Sequence, residues 1–170
     1  MTTGILPFFY QAYTMNIINQ LALHFEQVNK GGNWSNANLK TTLEDITWEQ
    51  ATKKIGTCNT ILDLAYHIDY YVVGGIKVLQ GGPLDIRDKY SFDHHIQSAK
   101  QWDAFKIQLL KNAAIYQKLL GNFDDKKLAE PYVLEKHGSY LRNILGLIEH
   151  HHYHLGQIVI LKKVITVGYS

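Results

Sequence analysis

The chain has 170 residues, 46% of them hydrophobic, which is long and apolar enough for one domain, residues 1–170, with a buried core. Its 17 basic and 15 acidic side chains leave a formal net charge of +2, and lysine pairs such as Lys126-Lys127 and Lys162-Lys163 stand isolated, which excludes a nucleic-acid footprint. No stretch approaches the ~18 uninterrupted apolar residues of a membrane span, and no leader pattern of basic, apolar and small residues opens the chain, so the expected location is the cytoplasm.

Four amphipathic helices are expected in chain order. The first runs from about Leu6 to Asn29, with Pro7 in its opening turn and Gly31-Gly32 after its end. Its apolar residues Phe9, Ala12, Tyr13, Ile17, Leu21, Phe25 and Val28 step by three and four. The second begins at Thr47, where Thr47-Trp48-Glu49-Gln50 has the form of a capping box, and continues to about Gln80 before Gly81-Gly82-Pro83. Cys58 falls inside it. As the single cysteine it excludes an internal disulfide, and it reads as a small, half-buried helix residue rather than a nucleophile.

The third helix starts near Ser98, again with capping-box spacing to Gln101, and ends at Leu120 before Gly121-Asn122. Trp102, Phe105, Leu109, Ala113, Tyr116 and Leu120 form its apolar stripe. The fourth spans about Ser139 to Ile165. Irregular connections are expected at 31–46, 81–97 and 121–138, the middle one long enough to cross a bundle rather than turn tightly. The fold class is therefore all-α, a four-helix bundle.

The fourth helix carries the densest chemistry: Glu149-His150-His151-His152-Tyr153-His154-Leu155-Gly156-Gln157. One helical turn separates His150 from His154, so their imidazoles can converge on one metal ion. His151 projects nearer the middle of the apolar stripe, which leaves His151/His154 as a competing pair. His152 points away from both. On the second helix His67 shares the inward face of Leu64 and Tyr71. Three imidazoles with one open position is the pattern of a catalytic metal site holding zinc, nickel, iron or cobalt. His24, His94, His95 and His137 read as surface or loop histidines. Asp63, one turn before His67, and Gln157, three residues after His154, are spaced to hydrogen-bond a ligand's far nitrogen, although Asp63 also suits a solvated face. Glu149 and Asp69 point about 100° away from their neighbouring histidines, and no acid–base residue stands out.

Leu64-Ala65-Tyr66-His67 and the run His150-x-x-x-His154-x-Gly156-Gln157-Ile158 resemble the DinB-like (DinB/YfiT-like) metalloenzymes over nearly the full chain. The resemblance implies His67, His150 and His154 as metal ligands and prefers His150 to His151. It also implies an up-down-down-up course, a divalent metal, homodimers, and in some members transfer or isomerisation that uses a low-molecular-weight thiol. Arginine is frequent before the family's Gly-Gln pair. Leu155 stands there in this chain, which removes any anion contact from that position.

The expected function is thus a metal-dependent thiol transferase or hydrolase acting on a small electrophile, with the metal activating a thiol or water. The competing readings are a non-catalytic metal-binding stress or interaction protein and a metal-free helical module. A homodimer also suits the fourth helix, which is apolar over most of its circumference.

Overall fold

The computed structural model describes residues 16–167, and among them the chain is all-helical with no β-strand. Helix α1 (Ile17–Lys30) is capped by the Asn16 side chain, which accepts from the Asn19 backbone N–H. It closes where Gly31 adopts φ +115° and donates to Gln27. The expected start near Leu6 lies outside the described residues.

The region 31–46, expected to be irregular, contains a short helix α2 (Leu39–Leu43) capped by Asn38. Leu39, Leu43 and Ile46 bury themselves against the long helices. The expected second helix is two. The Thr47/Gln50 capping box forms, but it opens only a single turn, α3 (Trp48–Ala51). The chain then unwinds through Gly56, at φ +53°, and a second capping box, Thr60 with Asp63, opens α4 (Ile61–Leu79). A left-handed glycine followed by a fresh cap cannot be spanned by one helix. Cys58 is therefore an exposed loop residue, not a half-buried helical one.

Helix α5 (Ala99–Gly121) begins on Ser98, whose hydroxyl accepts from Gln101; Gln101 in turn reaches back to the Gln97 N–H. Helix α6 (Tyr140–Val167) runs for 28 residues.

The four long helices form a ring of contacts in which α1 touches α5 and α6, and α4 touches the same two. Helices α4 and α5 run in the same direction, with Tyr66 against Phe105, Asp69 against Asn112 and Gly75 against Tyr116. Helix α1 opposes α5, since Ala22 meets Gly121 and Phe25 meets Tyr116. Helix α6 opposes α4, because Leu147 packs near Gly75 while His150 and His154 reach His67. Parallel neighbours cannot be joined by a tight turn. The segment after Pro83 accordingly returns along α4: Ile86 packs over Gly74, Arg87 meets the Tyr70 hydroxyl, and His94 reaches Asp63.

Two apolar clusters fill the interior. One gathers Leu64, Ile68, Trp102, Leu109, Leu155 and Ile158, and the other Phe25, Val72, Tyr116, Leu120, Ile144 and Ile148. Trp102 is fully buried, and its indole N–H donates to the Ile46 carbonyl at 2.8 Å, tying the 31–60 region to α5. Removing an indole of that size from water stabilises by roughly 4–6 kcal/mol before entropy is counted. His67 lies between Leu64 of the first cluster and Val72 of the second along α4, beside Ile68, and His150–His154 lie between Ile148 and Leu155 along α6, so the histidines sit where the two clusters meet.

Gly75 is required by packing. A Cβ there would lie 2.7 Å from Cε2 of Tyr116, whose buried ring is held in turn by Phe25. Despite alanine's better helix propensity, Gly75→Ala is expected to destabilise by about 1–3 kcal/mol through overpacking. Urea denaturation checks this, and an unchanged or raised midpoint would refute the packing argument.

Candidate metal centre

The Thr60/Asp63 box sets the start of α4 and with it the facing of His67; α6 delivers His150 and His154 one turn apart. One ring nitrogen from each of the three lies within 4.8 Å of those of the other two. Nε2 of His67 and Nε2 of His150 are 2.9 Å apart. The ring centroids are 4.8 Å (His67–His150), 4.7 Å (His67–His154) and 4.4 Å (His150–His154) apart. A tetrahedral ion with nitrogen arms of 2.0–2.1 Å holds its donors about 3.3 Å apart, so small adjustments bring this cluster to that spacing. The three histidines can hold a metal ion.

Gln157 Oε1 accepts from Nδ1 of His154 at 2.7 Å, which fixes that ring's proton on Nδ1 and leaves the Nε2 lone pair free. Gln157 thus makes the bond that its spacing predicts. Asp63 does not: its carboxylate accepts from the Thr60 N–H and faces His94 Nε2 at 3.2 Å, so it caps α4 and makes no bond to His67. Nδ1 of His67 and of His150 are buried without a hydrogen-bond partner at ordinary geometry among the described residues, although the Ser91 backbone lies near enough to His67 to oppose the lowering of its pKa.

Burial holds the rings neutral. It lowers His67 to about 4, with help from His154, and His150 to about 3, with help from His154 and His67. His154 is also lowered by burial, against the opposing pull of its bond to Gln157. Neutral imidazoles are the form that binds metal.

His151 does project inward, and that is what removes it from the cluster. It is 1% exposed, lies edge-on to Phe25, and gives Nδ1–H to the Leu147 carbonyl at 2.9 Å. His152 faces the opposite way and meets His24 at 5.5 Å between ring centroids. His94 pairs with Asp63, His137 Nδ1 lies 3.2 Å from the Tyr132 carbonyl, and His95 is exposed. Leu155 is core. Glu149 is exposed, whereas Asp69 is buried toward α5, with both oxygens accepting from Asn112, and burial raises it to about 6.

The site also has walls that periodicity did not reveal. Phe92 stacks on His67 at 4.2 Å and 9°. Tyr71 packs edge-on against both His67 and His150, and its hydroxyl donates to Asp88 at 2.6 Å. Phe92 and Asp88 belong to the returning 81–97 segment, where no repeat marks which residues face α4. A cavity of about 380 Å³ opens beside His150, bordered by Tyr71, Asp88, Tyr116, Arg142 and Leu147. No helix is long and apolar enough to cross a membrane among the described residues.

No protein-family model, curated protein or solved structure matches this chain.

The buried histidines dictate a pH response. Each has a folded-state pKa below its unfolded value of 6.5, so the unfolded chain binds more protons as pH falls, and stability is lost from about 6.5 downward. Asp69, raised by burial, works the other way between about 6 and 3.8, but it stands alone against four rings. For His151, fully buried and lowered to about 4, the loss at pH 5 is about 2 kcal/mol. Urea midpoints of metal-free protein should therefore fall between pH 7.5 and 5, less steeply in His151→Leu. A midpoint that holds or rises on acidification contradicts the burial argument.

Proposed function

We propose that this chain is a metal-dependent enzyme of the DinB-like type: a four-helix bundle of up-down-down-up course that carries out transfer or hydrolysis on a small electrophile with a low-molecular-weight thiol or water. The convergence of His67, His150 and His154 carries the reading. A divalent ion held there, zinc, nickel or iron, supplies Lewis acidity that lowers the pKa of a thiol or water bound to it. The protein's own residues do the rest. Gln157 orients His154, while Phe92 and Tyr71 shield two of the rings from solvent. Burial and Asp88 push Tyr71 up to about 12, so its hydroxyl stays protonated as a donor at the cavity wall.

The cavity beside His150 favours this reading over a purely structural ion, which needs no adjoining space for a substrate. We read the cytoplasm as its location. A homodimer is the state we assign, formed over the exposed Tyr153 and Ile160 of α6.

Elemental analysis of untagged protein should return about one divalent ion per chain. His67→Ala and His154→Ala should each lose most of it, while His152→Ala keeps it. Gln157→Leu should weaken metal affinity about 10–100-fold. Full occupancy in His154→Ala, or none in the parent, would defeat the proposal. Thiol-dependent turnover of a chromogenic electrophile, abolished by chelation, is the accompanying activity readout.

A further inference from the structure

Arg142, Gly146, His150 and His154 follow one another at intervals of four along α6, so they form a single stripe down one face of the helix. Gly146 leaves a gap in that stripe, and Arg142 fills it: a Cβ at position 146 would lie 2.8 Å from a terminal nitrogen of the Arg142 guanidinium. The arginine thus leans along its own helix toward His150, and both residues border the 380 Å³ cavity. The guanidinium makes no hydrogen bond or ion pair among the described residues; the side-chain partner at position 142, Ser139, is met by the backbone N–H.

Two neighbouring polar side chains of the cavity are already engaged with the protein. Asp88 accepts from Tyr71, and the Asn143 amide donates to the His137 and Ser139 carbonyls. Arg142 is the one cationic side chain bordering the space. Arg142 is exposed at the cavity's border, and a planar guanidinium with free donors there is suited to a carboxylate or phosphate, which it can engage through two parallel hydrogen bonds.

We infer that Arg142 is the anion-binding subsite of this cavity, and that the small molecule taken up beside His150 carries a carboxylate or phosphate at the end remote from the histidines. The inference rests on the proposed function and adds the chemical class of its ligand. One helical turn, about 6 Å along the axis, separates Gly146 from His150, so the acidic group and the end that meets the histidines are separated by roughly that span. A glycine inside a helix is ordinarily a cost relative to alanine, and here it leaves the guanidinium its place.

The test compares 6-mercaptohexanoate with 6-mercaptohexanol by calorimetric titration into the zinc-loaded full chain. The carboxylate should bind at least tenfold more tightly. Arg142→Gln should erase that preference with zinc content unchanged, and Arg142→Lys should retain part of it. Gly146→Ala should raise the melting temperature yet reduce the preference, because the added methyl displaces the guanidinium. Equal affinity for the two compounds in the parent, or a preference that survives Arg142→Gln, overturns the inference.

A second readout needs no metal. In the nitrogen-15 spectrum of metal-free protein, hexanoate should shift the Arg142 Nε–H resonance and hexanol should not; an unmoved resonance also overturns it. If the chain takes up no zinc, the proposed function fails while this measurement still decides the arginine's role.

Discussion

The antiparallel contact between α4 and α6 at the level of His67 is the constraint on which the rest of the site depends. At that level the interior changes from one apolar cluster to the other, and the residues filling the junction are imidazoles. Burial there keeps the rings neutral, and in the metal-free protein one Nε2–H of the His67/His150 pair donates to the other Nε2 across 2.9 Å. Stability and coordination chemistry therefore draw on the same atoms. The enclosure that makes the rings poor bases also makes them available to a cation.

The direction of the helices decides what surrounds that centre. Because α4 and α5 run the same way, the chain must travel back along α4 before α5 can start. That return lays Phe92 on His67, brings Asp88 to Tyr71 and seats His94 on Asp63. The crossover is thus both a topological necessity and the outer wall of the site. The opposite wall comes from α6 itself, where Gly146 opens room beside His150.

The termini of helices and the facing of histidines were readable to different degrees. Caps at Thr47, Ser98 and the glycines after Lys30 and Leu79 mark real boundaries. The break between Ala51 and Ile61 carries its own local signals, Gly56 and the Thr60-x-x-Asp63 spacing, which the Thr47 capping box masks. Asp63 shows the limit of spacing arguments. It lies one turn from His67, but it also stands three residues after a threonine, and the helix end takes the carboxylate first.

Legible in the residues alone is the local grammar: all-helical character, most helix ends, the inward facing of His67, the one-turn pairing of His150 with His154, and the Gln157 bond to His154. These follow from periodicity and from contacts within one turn. Periodicity left His150 and His151 level, and which of them meets His67 depends on the neighbouring helix each ring faces: α4 for the first, α1 for the second. The same holds for Phe92, Asp88 and the cavity at Arg142. Contacts between segments distant in sequence are set by how helices pack against one another, and no repeat within a single segment encodes that.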